Sequence, residues 1–237
     1  MQRFFVSESL ENKNSFVLPE AIKHQCKVVL RYKEGQAIVL VDPYRGEAQA
    51  KLHIEQDLWT AHLTSYTLVE DTDVEITLIQ AMIRKEKWEY VLQKATELGV
   101  SRIVPLISSR SIVKWDLDDA QHKMARYRKI LQEAAEQSHQ ARLPILESPI
   151  SLNDVIRYTS DVNVVAYENE DTLALKHYLK PCRSISVLIG PEGGISSDEH
   201  VKLREMGFTS VHLGPRILRS ETAGLVAITI IQTLCEP

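Results

Sequence analysis

Two short stretches have residue types and spacing that could do chemistry. Leu188 to His200 reads LIGPEGGISSDEH, and His212 to Gly224 reads HLGPRILRSETAG. In each, an apolar run ends in Gly-Pro and a helix-like stretch follows. The chain has nine glycines, and six of them fall between Gly190 and Gly224. Glycine lets the backbone take open dihedrals and lets a ligand come close. Proline stiffens a turn and removes an N–H. N–H groups left free around Gly193 and Gly194 could meet ligand oxygens or ring nitrogens. The same residues also suit two tight strand-to-helix turns with no ligand, because glycine-rich turns are common. Repetition of the pattern on consecutive strands favours the ligand. A phosphate is a poor candidate. GPEGG is neither GxxxxGK followed by Ser or Thr nor GxGxxG, and Glu192 would repel phosphate. An adenosine-type ligand, with neutral acceptors and hydroxyls, fits better.

Elements that could position these turns follow from the hydrophobic pattern. VEITLIQAM reads as a strand. KWEYVLQKATELG puts Trp88, Val91, Leu92, Ala95 and Leu98 on one helical face, with Gly99 placed to end the helix. SRIVPLI is a strand, and Asp118 to Ser138 a long charged helix. Asn163 to Tyr167 and Ile185 to Ile189 are strands of buried type. Ser196 and Glu199 make the capping box of a helix ending near Gly207. Phe208 to Leu213 is a strand and Glu221 to Leu234 the last helix. This alternation implies an α/β fold, a parallel sheet with helices on both faces, and ligands at the carboxyl ends of the strands. Before it, residues 1 to about 70 read as short strands. KVVLRY and AIVLVD suggest a hairpin around Lys33-Glu34-Gly35, and AQAKLHI and AHLTSYTLV suggest further strands of a small β-barrel. The acidic EDTD, Glu70 to Asp73, marks the junction.

At 237 residues the chain has length for one large or two small domains. No stretch is apolar and long enough to span a membrane, and the N-terminus lacks a signal peptide's apolar region. Cys26, Cys182 and Cys235 are far apart in sequence and odd in number, which fits a reduced, cytoplasmic protein. The eight histidines form no HxxxH or mixed Cys/His cluster, so no metal is expected. The net charge of −4 argues against general nucleic-acid affinity. Basic residues nevertheless outnumber acidic ones from Met1 to Lys33 and from Ala81 to Lys114. These segments are either ordinary solvated faces or parts of one basic surface.

KATELGVSRIVPL (Lys94 to Leu106), EAAEQS (Glu133 to Ser138), IGPEGGIS (Ile189 to Ser196) and LGPRILRSETA (Leu213 to Ala223) together carry a resemblance. The chain resembles, end to end, the small-subunit ribosomal RNA methyltransferase E family of the SPOUT class. RFFV near the start and KVVLRYKEG match more weakly. Two positions depart from the pattern: Ser220 stands where threonine is usual, and Gln140 where arginine is usual.

The resemblance implies an S-adenosylmethionine-dependent enzyme that makes N3-methyluridine in 16S ribosomal RNA, naked or in the assembled small subunit. It implies a PUA-like β-barrel over residues 1–72 and a trefoil-knotted α/β domain over 73–237, paired as a homodimer. In that fold the Tyr167 region and both Gly-Pro turns wrap the cofactor. The implied contacts are Ile189, Gly190, Pro191, Glu192 and Gly193 from the first turn. Leu213, Gly214, Ile217 and Leu218 follow from the second, then Ser220, Thr222 and Ala223. The last helix, AGLVAITIIQTL, is apolar nearly all round, as expected of a helix buried on several sides. Arg219 is the candidate to stabilise the pyrimidine oxygens as uridine N3 loses its proton. Glu221 is a candidate base or orienter, although a glutamate in a first helical turn is stabilised there anyway. Candidate RNA contacts are Arg3 and Arg31 on the barrel, with Lys85, Lys94, Arg110 and Arg142. Arg216 would meet RNA or the partner subunit. Alternatives are a SPOUT methyltransferase acting on another RNA and a catalytically silent RNA-binding protein.

Overall fold

The computed structural model describes residues 1–70, 74–111 and 120–235. The expected domain junction at residues 72 and 73 and the expected helix start at Asp118 lie outside these residues. Two compact units emerge: Met1–Asp71 with Ala135–Arg142, and Thr72–Ala134 with Leu143–Pro237.

The first unit contains β1 (Gln2–Phe5), β2 (Ser15–Val17), α1 (Glu20–His24), β3 (Ala37–Val41), β4 (Gly46–Glu55) and β5 (Leu58–Leu68). They form one sheet in the order β1-β3-β4-β5-β2, antiparallel except for the β1–β3 pair. Alternation along β4 buries Ala48, Ala50 and Leu52 against Phe4, Leu40 and Trp59. The hairpin expected from KVVLRY is not formed. α1 continues as a π-helical turn over Gln25–Val29. Ile22 and Cys26, four residues apart, share the buried face, while Val28 and Val29 are exposed. The β-branched pair suggested a strand, but the i, i+4 burial decides the outcome. β3 instead pairs with β4 across Asp42 to Arg45. The Asp42 carboxylate accepts the N–H groups of Leu10, Tyr44 and Gly46 and the Tyr66 hydroxyl.

The second unit alternates as its sequence suggests. It contains β6 (Glu75–Ala81), α2 (Lys85–Glu97), β7 (Arg102–Ile107), α3 (Ala120–Gln137), β8 (Ile145–Leu146), β9 (Ile150–Ser151) and β10 (Val162–Ala166). Then come α4 (Leu175–Tyr178), β11 (Ser184–Ile189), α5 (Ser197–Glu205), β12 (Thr209–Val211) and α6 (Ser220–Cys235). The sheet runs β12-β10-β11-β6-β7-β8, with β9 also beside β7, and every pairing is parallel. Both faces are covered. Ile185, Val187 and Ile189 of β11 pack with Trp88, Leu92, Ile228 and Ile231. Leu188 packs on the other face with Leu203 and Phe208. Register places Ala166 opposite Ile189 and Val211, and Ile189 opposite Gln80. The two Gly-Pro turns therefore leave strands that flank β10, and do not leave adjacent strands. Cys182 and Cys235, distant in sequence, meet with their sulfurs 3.9 Å apart, and both are free thiols.

The capping box closes the first Gly-Pro turn. The Ser196 hydroxyl accepts the Glu199 N–H, and Glu199 accepts the Ser196 N–H at 3.0 Å. The same carboxylate accepts the Ser109 N–H at 2.7 Å, so it ties the segment after β7 to α5. Burial pushes the Glu199 carboxyl up. Hydrogen bonds from the Ser109 and Ser196 backbones and hydroxyls outweigh this and hold it below the ordinary carboxylate value. Its contribution to stability is therefore present above the ordinary carboxylate pKa and lost as pH falls through the depressed one. Glu199→Ala should cost about 1–3 kcal/mol of unfolding free energy at neutral pH. Denaturant melts should show that difference shrinking in acid.

Candidate active site

The carboxyl ends of β10, β11 and β12 open into a cavity of about 810 Å³. That volume lies within the range that holds a drug-sized ligand. The first Gly-Pro turn supplies Ile189, Gly190, Pro191 and Glu192, and β10 leads into Tyr167. The second turn supplies Leu213, Gly214, Ile217, Leu218 and Arg219, and the start of α6 supplies Ser220 and Ala223. Most residues expected around a cofactor are thus brought together. Ile217 stands at the open side, 87 % exposed.

Three expected site residues, Gly193, Glu221 and Thr222, do not line the cavity. Gly193 does not line the cavity; a Cβ there would meet Arg110 at 3.3 Å. The demand for open backbone falls on Gly194, at φ +69°, where a Cβ would stand 2.5 Å from Oε1 of Glu168. Thr222 is exposed on α6 and also lies off the cavity.

Tyr167 is held in place. Its ring stacks on His200 at 4.0 Å and 10°, and His200 Nε2 lies 2.6 Å from the Ser210 hydroxyl. Ser220 joins the two turns. Its hydroxyl donates to the Gly190 carbonyl at 2.5 Å and accepts from the Gln80 amide at 2.9 Å.

The charged groups form a cluster that the sequence did not reveal. Lys87, in the first turn of α2, lies 3.1 Å from Oε1 of Glu221 and 3.5 Å from Oε1 of Glu192. A lysine at a helix N-terminus opposes the macrodipole. That unfavourable placement is the signal that marks Lys87 in the sequence. The second carboxylate oxygen of Glu221 is buried and has no hydrogen-bond partner among the described residues. Burial pushes the Glu221 carboxyl up, but its own backbone N–H, the Lys87 ammonium and the charge of Arg219 hold it below the ordinary value. Glu221 is thus held as a carboxylate between Lys87 and Arg219. Glu168, Glu170 and Asp171 add carboxylates to the cavity wall. Their signal is the acidic run ENED directly after β10.

The cations expected to meet RNA fall into two groups. Arg31, Lys85, Arg110 and Arg216 are exposed. Arg3 is not available: it is buried, and its guanidinium grips the Glu47 carboxylate with both nitrogens and reaches the Gln140 carbonyl. A buried fork bonded on both nitrogens is a structural anchor. Lys94 pairs with Glu97 at 2.7 Å. Arg110 donates to the Gly193 carbonyl at 2.9 Å and so braces the first turn. Arg142 is half-buried and engaged within its own surroundings.

A profile of the RNA methyltransferase domain family matches residues 70–232. The ribosomal RNA small subunit methyltransferase E of Bacillus subtilis is 30 % identical, over 98 % of this chain and 96 % of its own length. The chain belongs to the ribosomal RNA small subunit methyltransferase E family. A second member of the methyltransferase E family, from Rickettsia conorii, is 30 % identical over 98 % of this chain and 95 % of its own length. The Neisseria gonorrhoeae enzyme, solved bound to S-adenosyl methionine, superposes with a TM-score of 0.90 at 32 % identity, covering 99 % of this chain and 98 % of that one. No helix among the described residues is long and apolar enough to cross a membrane. Among those residues, no group of three metal-binding side chains could hold an ion.

Lys87→Met should raise the titration midpoint of the Glu221 carboxyl. The variant removes the strongest neighbouring cation and leaves Glu192 as a like charge, with Arg219 the remaining positive neighbour. Carboxyl carbon-13 NMR reads the midpoint directly, and an unchanged value would show that the ammonium does not reach Glu221 in solution.

Proposed function

We propose that the chain transfers the methyl group of S-adenosylmethionine to N3 of a uridine in 16S ribosomal RNA. The observation that carries this reading is the cavity between two Gly-Pro turns, with Arg219 at its wall and the first turn of α6 beside it. The residues present suit the cofactor. Ile189, Leu213, Leu218 and Ala223 offer apolar surface to a purine, and Glu168 and Asp171 offer acceptors to ribose hydroxyls. The close approach of Gly194 to Glu168 leaves no room for a side chain between them. Solved relatives from Neisseria gonorrhoeae and Legionella pneumophila carry S-adenosylmethionine, which supports the same cofactor here.

When bound, S-adenosylmethionine supplies an electrophilic methyl on a positive sulfur, so the chain's task is alignment and charge. Uridine N3 is a poor nucleophile while it keeps its proton, which passes to water as the N3–methyl bond forms and the methyl–sulfur bond breaks. Arg219 stabilises the pyrimidine as charge spreads onto its oxygens. Its planar fork can span two acceptors, which lysine cannot do. Glu221, ionised and fixed by Lys87, orients the groups beside Arg219. In this reading the chemistry belongs to a trefoil-knotted α/β domain, and the N-terminal sheet serves as a PUA-like barrel that holds RNA. Arg31 on that sheet, and Lys85 and Arg216 on the α/β domain, are exposed candidate phosphate contacts. A homodimer completes the unit. Its support is the apolar margin of α6, where Leu225 and Ile230 pack only partly on the core, Val226 is half-buried and Leu234 is 41 % exposed.

Two variants test this reading. Gly194→Val should abolish S-adenosylmethionine binding in calorimetry while the fold survives, because a β-branched residue at positive φ would be driven into Glu168. Arg219→Ala should keep cofactor affinity within a small factor and lose about 100- to 1,000-fold in single-turnover methyl transfer. Arg219→Lys should be partly active. An Arg219→Ala enzyme with a near-normal rate, or one defective in cofactor binding, would make Arg219 a structural residue.

A further inference from the structure

Gln80 is a polar residue in a buried strand, and the chemistry described so far leaves it without a role. It lies near the carboxyl end of β6 with no exposed surface, next to Ile79 and Ala81, both also fully buried. Its amide nitrogen donates to the Ser220 hydroxyl at 2.9 Å and, less well, to the Ala81 carbonyl at 3.4 Å. Its amide oxygen is buried and meets no donor among the described residues. A buried acceptor left unpaired costs stability, and an apolar residue of the same shape would avoid that cost.

A second cost lies opposite. Gly224 sits inside α6, where glycine weakens a helix. A Cβ there would stand 2.9 Å from the Gln80 amide oxygen. The helix thus gives up a side chain at the point where Gln80 meets it. Two unfavourable features at one contact imply that the contact is kept for something other than stability.

The hydrogen-bond chain shows what it holds. Gln80 donates to Ser220, and Ser220 donates to the Gly190 carbonyl at 2.5 Å. Ser220 follows Arg219 directly, and the Arg219 carbonyl accepts the N–H groups of Thr222 and Ala223. The first turn of α6 is therefore fixed at three points: on β6, on the first Gly-Pro turn and on itself.

We propose that Gln80 is a positioning residue for Arg219: through the Ser220 hydroxyl, its buried amide locks the first turn of α6 onto the Gly190 turn. The inference rests on the reading of Arg219 as the group that stabilises the pyrimidine. It assigns Gln80 no contact with cofactor or RNA.

Gln80→Leu tests it. The variant should melt at the same temperature as the wild type or higher, and calorimetric affinity for S-adenosylmethionine should stay within a few-fold. Its single-turnover rate at saturating RNA and cofactor should fall about 10- to 100-fold, the scale of small misplacements of a reacting group. Gly224→Ala, which pushes on the same amide from the helix side, should lower the rate in the same way. Ser220→Ala should cost less in the Gln80→Leu background than alone, because both remove one chain of bonds. A Gln80→Leu enzyme with wild-type rate overturns the proposal. So does one that melts well below the wild type, which would make Gln80 an ordinary core residue, or one whose only loss is cofactor affinity. A wild-type enzyme that binds S-adenosylmethionine but transfers no methyl would instead overturn the reading of the site, and this proposal with it.

Discussion

The site depends on parallel register. Ala166 of β10 pairs with Ile189 of β11 on one side and Val211 of β12 on the other, so three strands end at one level. In a parallel sheet every connection must cross over and return, and loops leaving the carboxyl ends gather on one edge. Here that edge receives Tyr167 in the middle and a Gly-Pro turn on each side. Displacing one strand by a residue would turn its side chains to the other face and move its loop off the cavity. The hydrophobic alternation of β11, with Val187 on one face and Leu188 on the other, fixes that register.

Polar bonds then set the position of each loop. Glu199 holds the helix after the first turn to Ser109, Arg110 braces Gly193, and Ser220 joins Gly190 to α6. These groups differ in solvent exposure. Glu199 is buried, where charge-assisted hydrogen bonds are strong, and Arg110 is exposed, where they contribute little. The Lys87–Glu221–Glu192 cluster lies between these extremes, mostly shielded, with Lys87 and Glu192 on the cavity wall and Glu221 off it. Its two carboxylates and one ammonium leave a local negative excess beside Arg219, which suits a site that must accept a cationic cofactor.

Much of this was legible in the sequence because it is local. The capping box of Ser196 and Glu199, the buried stripe of α2 and both Gly-Pro turns are patterns within a few residues, and the structure reproduces them. The family resemblance supplied most of the cavity wall. What failed was non-local. KVVLRY looked like a strand because Val28 and Val29 favour one, but its fate was decided by where Ile22 and Cys26 could be buried. Arg3 read as a free cation until Glu47, far along the chain, took its guanidinium. Lys87 and Gln80 were missed for the same reason: their partners, Glu221 and Ser220, lie on the last helix. Even within the GPEGG turn, which glycine needs the open dihedral depends on Glu168 and Arg110 beside it.

Delivery of a methyl group from this cavity to one pyrimidine nitrogen leaves a product that can be mapped. The most direct measurement is to incubate the wild-type protein with S-adenosylmethionine and unmethylated small subunits, and separately with naked 16S ribosomal RNA. The modified nucleotide is then mapped by nuclease digestion and mass spectrometry. A single new N3-methyluridine is expected. Methylation of another base or another atom, or cofactor binding with no methylated nucleotide in either substrate, would contradict it.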